Sequence, residues 1–191
     1  MMAREEASRG GRPAVFLDRD GTVIEEVNYL SRIEDLRPID GVSHSLQMLR
    51  DAGFSVVLIT NQSGVARGYF TEDFVRLTHR ELEARIGFAF DGIYYCTHGP
   101  DGGCRCRKPA PGMVEQAAAD LGLDITRSFV VGDKTVDLEL ARQAGMPGIL
   151  VLTGYGGRID QPTAAEHVAP DINEACRWII TRASAHSKGR E

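Results

Sequence analysis

The sequence lacks an apolar run of membrane-spanning length and has no excess of basic residues. Its 191 residues contain 22 Lys and Arg against 27 Asp and Glu, a formal net charge of −5. This acidic balance argues against nucleic acid or an anionic membrane as the main partner, although a local basic cluster can still bind an anionic substrate. Residues 1–13 also lack the apolar core of a signal peptide. We therefore expect a cytoplasmic protein.

Cysteine is scarce, and its placement is not that of a disulfide framework. Only four cysteines are present, and three of them lie between Cys96 and Cys106. Structural disulfides are rare in the cytoplasm, so a metal site is the better interpretation. Cys96 and His98, followed by Cys104 and Cys106, offer four ligands for one tetrahedral Zn²⁺. The alternative is a set of reduced thiols beside a surface histidine. Cys176 is expected to be a packed, free thiol.

Short apolar runs alternate with segments of helical periodicity, and the length suits one domain with a core of about 13–184 and flexible ends. This alternation predicts an α/β fold, a parallel sheet with helices on both faces. In such sheets, sites form beyond the carboxyl ends of the strands. Strands are expected at Ala14–Leu17, Phe54–Ile59, Ile93–Cys96, Phe129–Val131 and Ile149–Leu152, and helices at Val42–Ala52, from Thr71, at Pro111–Leu121 and at Thr135–Ala144.

Acidic side chains follow the first and fourth predicted strands. Asp18 and Asp20 stand two residues apart just after the first strand, and such close carboxylates repel unless a cation or a proton separates them. Asp133 follows the fourth strand, with Asp137 four residues later. Carboxylate oxygens are ligands that Mg²⁺ prefers. Taken singly, each cluster is also compatible with an ordinary solvated turn.

Phosphate-binding groups follow the second predicted strand and precede the fourth. Hydroxyl and amide side chains run from Thr60 to Ser63, and with backbone N–H groups they can bind a phosphate. Arg107 and Lys108 are adjacent cations that can neutralise a phosphoryl group, one as a bidentate fork and the other as a point charge. The alternatives are a plain loop and a solvated basic turn.

These clusters occur in one order: Asp-x-Asp-Gly-Thr from Asp18, Thr-Asn from Thr60, Lys-Pro from Lys108, and Gly-Asp-x-x-x-Asp from Gly132. In that order, beside strand ends, they resemble the haloacid dehalogenase superfamily over residues 14 to about 155. The resemblance implies a three-layer, Rossmann-like fold and a magnesium-dependent phosphatase. No large cap domain is expected, because neither insertion point has enough residues.

The resemblance also implies residue roles. Asp18 attacks phosphorus and forms an aspartyl-phosphate. Asp20 is the general acid and base, and its work as an acid requires a raised pKa. Thr60 and Lys108 bind the transferring phosphoryl group. Mg²⁺ is held by the carboxylates of Asp18 and Asp133 and the backbone carbonyl of Asp20, with Asp137 in support.

The cysteine loop narrows the resemblance to the heptose 1,7-bisphosphate phosphatases and the related histidinol-phosphate phosphatases, which carry such a zinc loop before Cys-Arg-Lys-Pro. The segments Asn61–Gly68, Asp91–Cys96 and Gly132–Lys134 resemble the heptose group more. Histidinol phosphate, another small sugar phosphate and an inactive phosphate-binding scaffold stay open as alternatives. A monomer acting on a small phosphorylated sugar at its 7-phosphate is expected. The implied substrate contacts are Glu26, Tyr29, Thr60, Asn61, Gln62, Ser63, Arg107, Lys108 and Lys134.

Overall fold

The computed structural model describes residues 10–159 and 164–188, with the side chains of the last helix described as far as residue 185. Six strands form one sheet in the order β3-β2-β1-β4-β5-β6, and every neighbouring pair is parallel. The predicted parallel sheet is confirmed. The strands are β1 (Ala14–Leu17), β2 (Ser55–Asn61), β3 (Gly92–Cys96), β4 (Phe129–Gly132), β5 (Gly148–Val151) and β6 (His167–Ala169).

Helices cover both faces of the sheet, because successive strand residues point to opposite sides. Val15 and Leu17 of β1 belong to one buried apolar cluster, and Ala14 and Phe16 belong to another. The first cluster includes residues of α1, α2 and α5, and the second includes residues of α3 and α4. The three-layer α/β prediction is therefore confirmed. The helices are α1 (Val42–Asp51), α2 (Glu72–Ile86), α3 (Gly112–Leu121), α4 (Thr135–Ala144) and α5 (Ile172–Lys188).

The helix ends follow signals that the sequence carries. The Thr71 hydroxyl accepts a hydrogen bond from the Phe74 N–H at 3.2 Å and caps the start of α2. Gly87 and Gly145 end α2 and α4 in left-handed conformations, with φ of 62° and 70°. Glycine adopts this conformation without the strain that a Cβ introduces. These local signals place α2 and α4 close to the predicted boundaries.

Three features differ from the prediction or extend it. Strand β6 was not predicted, and it is a three-residue edge strand that pairs with β5. Strand β2 continues to Asn61, so Thr60 lies within the strand. Helix α5 continues to Lys188, past the expected end of the core. The start of the chain was expected to be flexible, and its residues 1–9 lie outside the described residues. Within the described part, the Arg12 carbonyl accepts a hydrogen bond from Asp124 N–H at 2.9 Å.

The connections that follow β1 and β2 contain little regular secondary structure. Among the described residues, the only helix or strand between β1 and α1 is a one-turn 3-10 helix at Ile33–Asp35, and none lies between β2 and α2. Neither connection contains a further folded unit in the described residues. No helix in the described part of the chain has the length and apolar character needed to span a membrane.

Candidate active site

The carboxyl ends of β1, β2 and β4 surround a cavity of about 780 Å³. Strand order reverses between β1 and β4, which is where open parallel sheets form their sites. Asp18, Thr60 and Asp133 are buried at these strand ends and do not themselves line the cavity. The other predicted site residues do line it: Asp20, Glu26, Tyr29, Asn61, Gln62, Ser63, Arg107, Lys108 and Lys134.

Lys108 is a buried cation held between two carboxylates. Its Nζ lies 2.8 Å from Asp18 Oδ1 and 2.6 Å from Asp137 Oδ1, and it donates to the Ile59 carbonyl at 3.1 Å. Burial alone lowers the pKa of Lys108, but the charges of Asp137 and Asp18 outweigh it and raise that pKa above its ordinary value. Lys108 is therefore a fixed positive charge beside Asp18.

Asp18, Asp133 and Asp137 place one carboxylate oxygen each within 4.8 Å of the others. Asp133 Oδ1 is buried and has no hydrogen-bond partner among the described residues, while Asp133 Oδ2 accepts from Tyr155 N–H at 2.8 Å. Burial, and then the charge of Asp18, raise the pKa of Asp133 to about 7. A divalent cation would reduce the repulsion between these carboxylates and would give Asp133 Oδ1 a partner. Mg²⁺ prefers such carboxylate ligands. The residues present thus fit magnesium.

Asp20 is held by hydrogen bonds on both carboxylate oxygens. Arg19 donates from Nε to Oδ2 at 3.2 Å and from Nη2 to Oδ1 at 2.9 Å, and Gln62 Nε2 donates to Oδ2 at 2.9 Å. Burial acts to raise the pKa of Asp20, but the charge and hydrogen bonds of Arg19 and the bond from Gln62 lower it overall. The pKa of Asp20 is therefore lowered, which is opposite in direction to the raised pKa that its work as an acid requires.

The segment after β1 reaches the site through Glu26. Its Oε2 accepts from Lys134 Nζ at 3.0 Å, and its Oε1 accepts from Asn28 N–H at 2.7 Å. Asn28 and Tyr29 have positive φ angles of 49° and 71°, which turn the chain sharply at the cavity rim. The Tyr29 ring meets Tyr69 edge-on, with centroids 4.9 Å apart. Lys134 Nζ also lies 3.4 Å from Asp133 Oδ1.

The predicted phosphate-binding run divides into residues with different contacts. Gln62 Nε2 donates to Thr60 Oγ1 at 2.8 Å. The Asn61 amide pairs with the backbone of Lys108 in both directions, at 3.1 and 3.0 Å. Asn61 therefore fixes the segment that carries Lys108, a positioning contact that the sequence did not indicate. Ser63 lines the cavity, and Arg107 Nη1 donates to the His98 carbonyl at 3.2 Å.

The four predicted zinc ligands converge. Their ligand atoms lie within 4.8 Å of one another, and the measured pairs are 3.2 to 3.6 Å apart. Atoms bound to one tetrahedral Zn²⁺ lie about 3.5 to 3.8 Å from each other, given its bond lengths. The cluster therefore has the donor set for zinc, with distances that lie within or up to about 0.3 Å below this range. Its members are Cys96, His98, Cys104 and Cys106, while Cys176 is buried elsewhere in the core, as predicted.

Two residues of this region were missed by the sequence reasoning. Arg19 is the variable position of the Asp-x-Asp pattern, so no motif singled it out. His79 lies on the buried face of α2, between Val75 and Leu82, and its Nε2 is 3.4 Å from Arg19 Nη1. A histidine at an apolar position of the helix was the available signal. Burial and the charge of Arg19 lower the pKa of His79 to about 3, against an opposing effect of Asp20.

The depressed pKa of His79 predicts a loss of stability in mild acid. The unfolded chain protonates this imidazole near its ordinary pKa of 6.5, whereas the folded chain does so only near 3. The stability contribution is therefore complete above pH 6.5 and decreases toward pH 3, by up to about 1.4 kcal/mol per pH unit. Urea unfolding at several pH values should show a smaller decrease for His79→Phe than for the wild type. An equal decrease in both would contradict the buried, neutral histidine.

Comparison with known proteins agrees with this geometry. Residues 105–175 match the HAD-hydrolase-like family model. The D-glycero-D-manno-heptose-1,7-bisphosphate 7-phosphatase of Thermosynechococcus vestitus is 42% identical, in an alignment that covers 89% of this chain and 96% of the relative. The D-glycero-beta-D-manno-heptose-1,7-bisphosphate 7-phosphatase of Haemophilus ducreyi is 47% identical, in an alignment that covers 75% of this chain and 85% of the relative.

A solved structure is similar along nearly its whole length. The D,D-heptose 1,7-bisphosphate phosphatase of B. bronchiseptica, complexed with magnesium and phosphate, superposes with a TM-score of 0.80 at 33% identity. The match covers 89% of this chain and 99% of that one. Fold, strand-end residues and relatives agree, and the chain belongs to the haloacid dehalogenase-like family of D-glycero-D-manno-heptose-1,7-bisphosphate 7-phosphatases.

Proposed function

We propose that this protein hydrolyses the 7-phosphate of D-glycero-D-manno-heptose 1,7-bisphosphate through an aspartyl-phosphate on Asp18. The observation that carries the proposal is the Asp18 carboxylate, which lies 2.8 Å from Lys108 Nζ and places an oxygen within 4.8 Å of a carboxylate oxygen of Asp133. A nucleophilic carboxylate needs cations around it, because an anionic phosphate ester otherwise repels it. The relatives, named for this activity, supply the substrate class.

The reaction has two steps in this proposal. Asp18 attacks phosphorus, an oxygen–phosphorus bond forms, and the bond to the sugar oxygen breaks as Asp20 gives that oxygen a proton. Water then attacks phosphorus while Asp20 takes a proton from it. The bond between phosphorus and the Asp18 oxygen breaks, which frees inorganic phosphate and restores the Asp18 carboxylate. The carboxylates of Asp18 and Asp133 and the carbonyl of Asp20 would hold Mg²⁺, which when bound would neutralise charge on the phosphoryl group. Lys108 and Thr60 complete the phosphoryl site.

The contacts of Asp20 suit the second step better than the first. Arg19 and Gln62 hold it as a carboxylate, which is the form of a base. Its work as an acid requires the pKa to rise when substrate binds. An arriving phosphoryl dianion supplies that effect, because nearby negative charge favours the protonated form of a carboxyl group.

Substrate contacts at the cavity rim are also part of the proposal. Arg107, Lys134, Glu26, Tyr29 and Ser63 line the opening and present charged, aromatic and hydroxyl groups to a sugar bisphosphate. Asn61 and Gln62 act through Lys108 and Asp20. We assign the chain one domain with its core at about 13–184, acting as a cytoplasmic monomer with neither nucleic acid nor membrane as partner.

A substrate comparison tests the proposed function. Purified protein with Mg²⁺ should hydrolyse heptose 1,7-bisphosphate at C7 with a kcat/KM at least about tenfold above that for histidinol phosphate, because the two leaving groups make different contacts. Both anomers at C1 and fructose 1,6-bisphosphate belong in the panel. A higher kcat/KM for histidinol phosphate would transfer the assignment to that substrate. Absence of turnover with every phosphomonoester would contradict a phosphatase.

The zinc assignment is a separate proposal: one structural Zn²⁺ on Cys96, His98, Cys104 and Cys106. Cys106 directly precedes Arg107 and Lys108, so a closed metal site fixes the start of the cationic segment. The Arg107 contact to the His98 carbonyl ties the two parts together. Zinc in this role stands apart from bond breaking.

Cys106→Ala should lose tightly bound zinc and lower kcat/KM on the order of 100-fold, because misplaced catalytic groups cost about that much. Magnesium binding should persist, since Asp18 and Asp133 lie on other strands. Cys176→Ala is the matched control and should keep both zinc and activity. Elemental analysis that finds no zinc in wild-type protein expressed with zinc present would refute the assignment. A shift of the pH–rate profile on cobalt substitution would instead indicate a catalytic metal.

A further inference from the structure

A buried histidine lies behind the proposed acid/base group. His79 belongs to α2, is 4% exposed, and its ring packs at a tilt against Tyr95 with centroids 5.4 Å apart. Its Nε2 lies 3.4 Å from Nη1 of Arg19, which is itself 2% exposed. Arg19 holds Asp20, but the proposed reaction does not itself involve His79. A buried histidine against a buried arginine is an arrangement that needs a physical reason.

Arg19 is held on three sides. Its Nε and Nη2 donate to the two oxygens of Asp20, and Nη2 also donates to Gln62 Oε1 at 3.0 Å. The remaining nitrogen, Nη1, has the contact to His79. Because the guanidinium is a rigid planar fork, fixing its third nitrogen fixes the plane from which the other two grip Asp20.

The chemistry of the contact determines the state of His79. Arginine has only N–H donors and stays charged, so Nε2 must be the acceptor and the ring proton must lie on Nδ1. The imidazole is then neutral, in agreement with its lowered pKa. A neutral acceptor orients Arg19 without neutralising it, whereas a carboxylate at this position would compete with Asp20 for the guanidinium charge.

We propose that His79 is a positioning residue for the phosphatase reaction: it orients Arg19, and Arg19 together with Gln62 holds Asp20 where it exchanges protons with the leaving oxygen. This inference rests on the proposed role of Asp20 as general acid and base. It makes α2 part of the active site's support, although His79 does not line the cavity.

The proposal has a consequence that depends on the leaving group. A sugar oxygen needs a proton as it departs, whereas para-nitrophenolate is stable without one. Since kcat/KM reports only the steps up to the first bond cleavage, it senses the acid role of Asp20 for the sugar ester and much less for the aryl ester. General acid catalysis is worth about 10² to 10⁴ in rate, so misplacement of Asp20 should be visible.

The test compares three variants. His79→Phe keeps a ring of similar size against Tyr95 but removes the acceptor, and His79→Gln restores an acceptor oxygen. Thr78→Val is the control, because Thr78 is also buried on α2 and its hydroxyl donates to the Phe74 carbonyl of its own helix at 2.8 Å. Heptose 1,7-bisphosphate and para-nitrophenyl phosphate are the two substrates, and circular dichroism and thermal unfolding check the fold.

We expect His79→Phe to lower kcat/KM about 10- to 100-fold for the sugar bisphosphate and less than about threefold for the aryl ester. His79→Gln should recover most of the loss, and Thr78→Val should behave as the wild type. Equal losses on both substrates, or none on the sugar ester, would overturn the proposal. If the wild type hydrolyses neither substrate, the proposed function fails and the positioning role fails with it.

A measurement on the unaltered protein keeps the inference testable even where His79→Phe does not fold. Nitrogen-15 NMR of histidine-labelled protein should show His79 as a neutral ring with its proton on Nδ1 at a pH of about 6, near the ordinary pKa of histidine. The opposite tautomer or a charged ring would contradict an acceptor Nε2. Phosphatase activity is not needed for this result, so it separates the contact from the function.

Discussion

Asp18→Asn should abolish phosphatase turnover and leave the fold unchanged. An amide is nearly isosteric with the carboxylate but is a poor nucleophile, and removal of a nucleophile lowers rates on the order of 10⁴-fold or more. Lys108 keeps its second partner, Asp137, at 2.6 Å, so no buried cation is left without a charge partner. The expected result is loss of kcat with a far-ultraviolet circular dichroism spectrum like that of the wild type.

A surface substitution provides the control for Asp18→Asn. Asp120→Asn removes a carboxylate of α3 that is exposed, and it should leave kcat unchanged. Asp18→Asn that retains a large part of wild-type turnover would contradict a covalent mechanism. Loss of turnover together with unfolding would show a structural defect, and thermal unfolding distinguishes that outcome.

Lys108→Met should destabilise the protein and inactivate it. Met preserves most of the side-chain volume, but it leaves the buried carboxylates of Asp18 and Asp137 without their shared cation. Removing one partner of a buried ion pair costs about 3 to 5 kcal/mol in unfolding free energy. The missing charge at the phosphoryl site should lower kcat on the order of 100-fold or more. Urea unfolding and steady-state kinetics measure the two effects.

The same loop offers a matched control for Lys108→Met. Arg105 also carries a positive charge but is exposed, and it pairs with Glu115 on the surface. Exposed ion pairs contribute about 0 to 1 kcal/mol, so Arg105→Met should change stability little. Added Mg²⁺ should restore part of the stability of Lys108→Met, because it replaces one cation with another. Equal stability of the two variants would contradict a stabilising role for the buried contacts of Lys108 with Asp18 and Asp137.

Much of the fold and the site could be predicted because the sequence carries local signals for them. Short apolar runs followed by polar residues located β1 to β5, and capping residues such as Thr71 and Gly145 located helix ends. The sequence alone predicted that the strand-end residues lie close together, because parallel strands bring their carboxyl ends to one edge of the sheet. The four residues of the Cys/His cluster could be grouped from the sequence because they lie close together, between Cys96 and Cys106.

The rest depends on contacts between distant segments, which local patterns do not encode. Strand β6 has three residues and is held by pairing with β5, not by its own composition. The link from His79 to Arg19 spans sixty positions and joins a helix to a strand end. The lowered pKa of Asp20 follows from contacts with Arg19 and Gln62, and the link to Gln62 again joins distant segments.

The most direct measurement of the central claim is detection of the phosphorylated nucleophile. Protein mixed with Mg²⁺ and heptose 1,7-bisphosphate is quenched in acid during turnover, digested and examined by peptide mass spectrometry, with Asp20→Asn included to slow hydrolysis of the intermediate. We expect a phosphoryl group on the peptide that contains Asp18, located at Asp18 itself and absent from Asp18→Asn. Full turnover by the wild type, with no phosphoryl group found on Asp18 in the wild type or in Asp20→Asn, would contradict the account.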